Sequence, residues 1–326
     1  MSGPPPHCPA EPGTGAPADP RVAGLLERCT FPGPGTALTC GVSGGADSLA
    51  LLALAVAAGC RVTAVHVDHG LRPGSAAEAD RVAGAAHRFG ADFRAERVTV
   101  PEGPNLEDRA RRARHAALGP DAATGHTADD QAETVLANLL RGAGVHGLAA
   151  MRAGPRHPLL GLRRADTEAV CHRLGLVPVR DPSNDDPRFV RNRIRHELLP
   201  LCSAIAGRDV VPVLARQAGL LAGDADLLDA LASVIDPEDA GALAAAPEAA
   251  ARRSIRGWLT GAGDHPPPLD AVDRVLEVAR GARRATEVPG GRRVRRSGGR
   301  LSIAPPAAAV GSVDPPGPVQ SLRDHR

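Results

Sequence analysis

Between residues 37 and 140 the chain repeats one pattern: a short apolar run of β type, a tight link, then a helical stretch. The runs are ALTCGV (37–42), RVTAVHV (61–67), DFRAERVTV (92–100) and DAATGH (121–126). The helical stretches are an apolar segment from about 47 to 58, SAAEADRVAGAAHRF (75–89), NLEDRARRARHAAL (105–118) and DDQAETVLANLLR (129–141). Ser75 followed by Glu78 reads as a capping box at the start of the second. Such alternation predicts an α/β fold, a parallel sheet with helices on both faces. Ligands bind such sheets beyond the carboxyl ends of the strands, so the segments after Val42, Val67 and Thr124 are the first places to look for a site.

Beyond Gly142 strand character is lost. Residues 206–250 are Ala/Leu-rich, with eight acidic residues against two arginines. In 281–300 the sign reverses to seven arginines and one glutamate, in a glycine-broken β-like segment. The expected organisation is a tail at 1–20, a catalytic α/β domain at 21–205, a smaller, mainly helical and basic region at 206–304 ending in β-like structure, and a flexible tail at 305–326. Seven prolines in the first twenty residues suit a disordered tail, not a signal peptide, and no run of ~20 apolar residues could span a bilayer.

Every one of the 39 basic residues is arginine, and there is no tyrosine. That excludes a Walker P-loop, a Schiff-base enzyme and a tyrosine acid or base, and leaves phosphate recognition to arginine, backbone amides or a metal. With four phenylalanines and one tryptophan, stacking of bases on aromatic rows has little material. The six cysteines are scattered without a CxxC pair, which suits thiols in a reducing cytoplasm.

SGGADS (43–48) lies between the first strand and the first apolar helix. Gly44 and Gly45 permit positive φ and close backbone approach. Ser43 and Ser48 offer hydroxyls, and the N-terminus of the helix supplies free amides and partial positive charge. Asp47 would be misplaced beside a bare phosphate and makes sense as the holder of a divalent cation bridging a pyrophosphate. The loop resembles that of the N-type ATP pyrophosphatase (PP-loop) superfamily. With HVDHGLR (66–72), LEDRARRARHAAL (106–118), GHTADDQAETVLANLLRGAGVHGLAAM (125–151) and RDPSNDDPRFVRNRIRHELLP (180–200), the stretch from 37 to 200 resembles the tRNA(Ile)-lysidine synthase family. His115 and Phe189 stand where members often carry tyrosine, and the C-terminal third is similar only loosely, around 288–296.

The resemblance implies an adenine nucleotide alpha hydrolase-like fold and a ligase activity in the cytoplasm. ATP, with Mg²⁺, would adenylate C2 of the wobble cytidine in tRNA(Ile) with a CAU anticodon. L-lysine would then displace AMP, and self-association into a homodimer is left open. It implies ATP contacts from Ser43, Gly44, Gly45, Ala46, Asp47, Ser48, His66 and His126, and a metal on Asp47 and Asp130. Asp129, Asp130 and Glu133 open the helix after the fourth strand and could complete that metal site, take the amine proton, or merely suit the helix dipole. Asp130 is preferred as catalytic, together with Asp47 and with Arg193 or Arg195 for the α-phosphate. Arg188, Arg191, Arg109, Arg112 and Glu133 are expected to meet tRNA or lysine. Two other readings are a PP-loop tRNA thiolase, which would want a site cysteine, and a catalytically silent tRNA-binding protein.

Overall fold

The computed structural model describes residues 20–68, 75–99, 106–179, 186–261 and 267–305. Residues 1–19 and 306–326 of the expected tails, His69, and 180–185 of the arginine motif lie outside the described residues, as do the side chains of Ser75 and Arg112. Two compact units meet between Asp224 and Ala225.

In the first unit, β1 (Ala37–Gly41), β2 (Arg61–Asp68), β3 (Asp92–Arg97) and β4 (Ala123–Thr124) form a parallel sheet in the order β3-β2-β1-β4. Strands consecutive in the chain are linked through helices: α2 (Ala46–Ala57), α3 (Ser75–Arg88) and α4 (Leu106–Leu118). Because side chains alternate along a strand, β2 feeds both faces of the sheet. Val62 and Ala64 join one core cluster with α2 and with Val82, Ala85 and Ala86 of α3, while Val65 packs with Leu118 of α4 on the other side. α2 is apolar nearly all round, and Leu51, Leu52 and Leu54 have no exposed surface, so it lies wholly inside. α1 (Pro20–Leu26) and α7 (Arg164–Arg173) cover this core through Val22, Val170 and Cys171.

The fourth strand is much shorter than its sequence run. At Gly125 a Cβ would stand 2.6 Å from the Asp47 carbonyl oxygen, so the chain there passes against the start of α2 instead of continuing the ladder. After it come α5 (Ala128–Leu140), α6 (Val145–Leu148) and α7, then α8 (Val190–Arg193), a π-helical turn at Ile194–Leu198, α9 (Leu199–Ala206) and α10 (Val211–Ser233). Ala128, Ala132 and Leu136 of α5 pack on Ile194, Leu199 and Val211, which fixes the arginine-rich segment against the helix that carries the acids.

In the second unit, α11 (Ala240–Ala245), α12 (Glu248–Gly261) and α13 (Leu269–Ala279) enclose a core with an antiparallel sheet of β5 (Ala285–Val288), β6 (Arg292–Ser297) and β7 (Arg300–Ala304). Val288, Val294 and Leu301 are the sheet's contribution to that core.

Candidate active site

Gly44 has φ +87°, a left-handed conformation that suits glycine, and its carbonyl accepts from the Val179 amide at 2.9 Å. Ser48 Oγ donates to the Gly45 carbonyl at 2.9 Å and accepts from the Ser43 amide at 3.2 Å, cinching the loop. The Ser48 and Leu49 amides both bond the Gly45 carbonyl, whereas those of Ala46 and Asp47 fall in the first turn, where no intrahelical carbonyl precedes them. The result is a concave set of donors at a helix start, suited to anionic oxygens.

Next to it stand three carboxylates and four guanidiniums. Asp129 accepts both arms of Arg163, at 3.0 and 3.0 Å, and the Arg164 amide at 2.8 Å. Asp130 accepts the Thr127 amide at 2.9 Å and hydroxyl at 3.0 Å on Oδ2, and Arg164 at 3.1 Å on Oδ1. Glu133, whose side chain has no exposed surface, receives three cations: Arg195 at 2.7 Å, Arg191 at 2.9 Å and Arg164 at 3.3 Å. A buried carboxylate is tolerable only when so compensated. Arg191 and Arg195, four residues apart, reach the same acid across the π-helical turn.

Burial would raise the Asp129 carboxyl, but the Arg163 fork and the Arg164 amide outweigh it and hold the group below the usual range. Asp130 follows the same logic: burial opposes ionisation, yet Arg164, His126, Arg191 and the Thr127 amide win. Asp47 goes the other way. Burial, with the charge of Asp130 adding to it, outweighs the Thr167 hydroxyl and Arg164 and pushes its carboxyl up to about 6. The fold therefore favours protonated Asp47. Its contribution to stability is complete below the ordinary carboxyl value of 3.8 and is lost as pH rises to about 6. In metal-free, nucleotide-free protein, Asp47→Asn is expected to gain stability over wild type across that window, by on the order of 2–3 kcal/mol. Melting curves from pH 4 to 7 check this, and a pH-independent difference would contradict it.

The structure gathers Asp47, Asp130, Glu133, Arg191 and Arg195 from the sequence reading into one cluster. Arg193 is placed outside it: two residues from Arg195 it faces away, pairs with Glu197 at 3.0 Å, and is 62% exposed against 23% for Arg195. Arg188 pairs with Asp186 at 2.7 Å on the surface. Arg109 lies half-buried on α4, on the far side of the sheet from α2. His66 is buried, with Nδ1 3.0 Å from the Val42 carbonyl, and so braces the loop's leading strand. His126 Nδ1 is 2.8 Å from Thr124 Oγ1, and its ring meets His157 edge-on at 5.2 Å.

Arg163, Arg164 and Thr167 carry no motif of their own, since they act across 31 to 120 residues of chain. Cys171, the cysteine beside the loop, donates to the Ala46 carbonyl at 3.3 Å, and burial pushes its thiol up to about 11. It is a packing thiol, with none of the thiolate character that sulfur transfer would need. Among the described residues no group of three or more His, Cys, Asp or Glu is arranged to hold a metal by itself. No single described helix is long and apolar enough to cross a membrane.

Comparison with known proteins agrees with this geometry. A family model described as a PP-loop domain matches residues 21–202, more than half of the chain, and one described as a TilS substrate binding domain matches 239–302. The tRNA(Ile)-lysidine synthase of Nocardia farcinica is 44% identical over 270 residues, spanning 77% of this chain and 85% of the relative. The same-named proteins of Rhodococcus erythropolis and Salinispora arenicola are 47% and 41% identical, over 68% and 85% of this chain and 73% and 93% of the relatives. With a PP-loop model matched over more than half of the chain and relatives matched over most of their length, the chain belongs to the tRNA(Ile)-lysidine synthase family.

Proposed function

We propose that this chain is an ATP-consuming ligase that joins L-lysine to C2 of the wobble cytidine of CAU-anticodon tRNA(Ile) in the cytoplasm. The observation that carries the proposal is the adjacency of the glycine loop to the Asp47–Asp130–Glu133 cluster and its arginines. In the first step the cytidine O2 attacks the α-phosphorus of ATP and pyrophosphate leaves. The Gly44–Ser48 turn takes the leaving oxygens, through amides that need no rearrangement to receive them. In the second step the neutral lysine side-chain amine attacks C2. The C2–O bond breaks, AMP leaves, and the amine's proton passes to a base or to water.

Mg²⁺ fits Asp47, whose Oδ2 is held only loosely by Arg164 at 3.7 Å, and there it would neutralise phosphate charge. Asp130 suits it less directly, since both of its oxygens already accept protein donors. Arg195 and Arg191 are the cations nearest to Glu133, at 2.7 and 2.9 Å, and we assign them to the α-phosphate. When a guanidinium turns to phosphate it frees carboxylate charge for the lysine ammonium, so ATP should bind before lysine. Incubation with α-labelled ATP and CAU-anticodon tRNA, without lysine, tests the first step: label should appear on the tRNA, and none on it would contradict the proposal.

We assign residues 206–304 to tRNA contact. Most arginines of the second unit are already engaged: Arg283 with Glu277, Arg300 with Asp236 and Glu238, and Arg296 with the Ala279 carbonyl. Arg293 and Arg295 flank buried Val294 and point from the exposed face of β6, without a carboxylate partner among the described residues. Replacing both with serine is expected to weaken tRNA binding and to lower the slope of log affinity against log salt by about one to two, with ATP binding unchanged. A filter-binding titration at several salt concentrations checks both.

A further inference from the structure

α7 grips the start of α2 through one face. Arg164, Thr167 and Cys171, spaced i, i+3 and i+7, meet Asp47, Asp47 and Ala46 respectively. Thr167 is completely buried, and its hydroxyl lies against both Asp47 Oδ1 and, at 2.8 Å, the Arg164 carbonyl. A hydroxyl has one proton to give, and the charge-assisted bond to the carboxylate is the stronger. Arg164 lies 3.7 Å from the other Asp47 oxygen while bonding Asp130 at 3.1 Å and Glu133 at 3.3 Å, so one guanidinium spans the acids of two helices. α7 itself is anchored: Val170 and Cys171 sit in the same core as α2, and Arg28 bonds Asp166 at 3.0 Å and the Gly161 carbonyl at 2.8 Å.

We propose that Thr167, together with Arg164, is a positioning residue: it fixes the rotamer of Asp47 so that Oδ2 is presented to the metal–nucleotide complex while Oδ1 is tied back. A carboxylate at a helix start beside phosphate oxygens is repelled by its neighbours. Without Thr167 the side chain is free to turn, and Arg164 alone, shared among three acids, leaves it under-determined. This rests on the reading of Asp47 as a residue of the ATP reaction.

Thr167→Val keeps the shape and removes the donor, Thr167→Ser keeps the donor, and Asp47→Ala serves as reference. In the valine variant kcat for tRNA adenylation should fall about tenfold, as for loss of a hydrogen bond to a charged group, with KM for tRNA unchanged. Calorimetry with a non-hydrolysable ATP analogue should show its affinity unchanged without Mg²⁺, while the Mg²⁺-dependent gain is cut by a similar factor. Serine should restore both to within about threefold. If the valine variant does not fold, Thr167→Ala, which cannot crowd the site, replaces it. A donorless variant that matches wild type in kcat and in the Mg²⁺-dependent gain, while Asp47→Ala is inactive, overturns the positioning role. An active Asp47→Ala instead overturns the underlying reading of Asp47.

Discussion

Asp47→Ala is expected to slow tRNA adenylation on the order of a thousandfold, while the protein still melts cooperatively. The size follows from where Asp47 sits. It is the only acid inside the glycine turn, one residue into α2, and burial already pushes its carboxyl up to about 6. The fold maintains an ionisable group at a point where its charge is disfavoured, and no core contact requires it there. Removing it therefore costs little stability in the ligand-free protein, whereas the phosphates lose the carboxylate in the turn that we assign to a cation. The rate of transfer of α-label from ATP to tRNA measures the effect. A variant within threefold of wild type would remove Asp47 from the reaction.

Glu133→Gln is expected to be the most damaging single change to stability in the first unit. Three guanidiniums converge on one carboxylate with no exposed surface, and glutamine leaves them facing each other across a neutral amide. Breaking a buried charge pair by removing one partner typically costs ~3–5 kcal/mol. In a domain of this size that lowers the melting temperature by roughly 10 °C. Activity measured well below the melting point should fall too, because Arg191 and Arg195 lose their common anchor. Thermal unfolding followed by circular dichroism reads the first effect. A shift of 2 °C or less would mean that the arginines find other partners and that Glu133 is not the hub of the cluster.

The parts of the site that could be read along the chain are those made by neighbours in sequence. SGGADS, with a strand before it and an apolar helix after it, dictates the cradle locally, and the spacing of Asp130 and Glu133 puts both on one face of α5. The four-residue spacing of Arg191 and Arg195 likewise anticipates that they act together, and both meet Glu133. Whether Arg193 or Arg195 points inward was not decidable from composition, because both are arginines on one short segment and the π-helical turn sets their phase. Arg163, Arg164 and Thr167 carry no motif of their own and matter only because α7 docks on α2 and α5, through contacts 31 to 120 residues apart. The shortened fourth strand was hidden for a similar reason, since DAATGH looks extended until Gly125 meets the Asp47 backbone. An all-arginine complement sharpened the reading in another way: every cation in the cluster is a planar fork, able to hold one carboxylate while reaching toward another.

The measurement that bears most directly on the central claim is incorporation of labelled lysine. Purified protein, ATP, Mg²⁺ and CAU-anticodon tRNA(Ile) should give tRNA that carries the label at the wobble position, dependent on ATP and absent with a tRNA whose wobble base is not cytidine. Because the chain contains no lysine, label retained with macromolecule cannot reflect exchange into the enzyme's own side chains. Folded protein that leaves the tRNA unlabelled under these conditions would contradict the account.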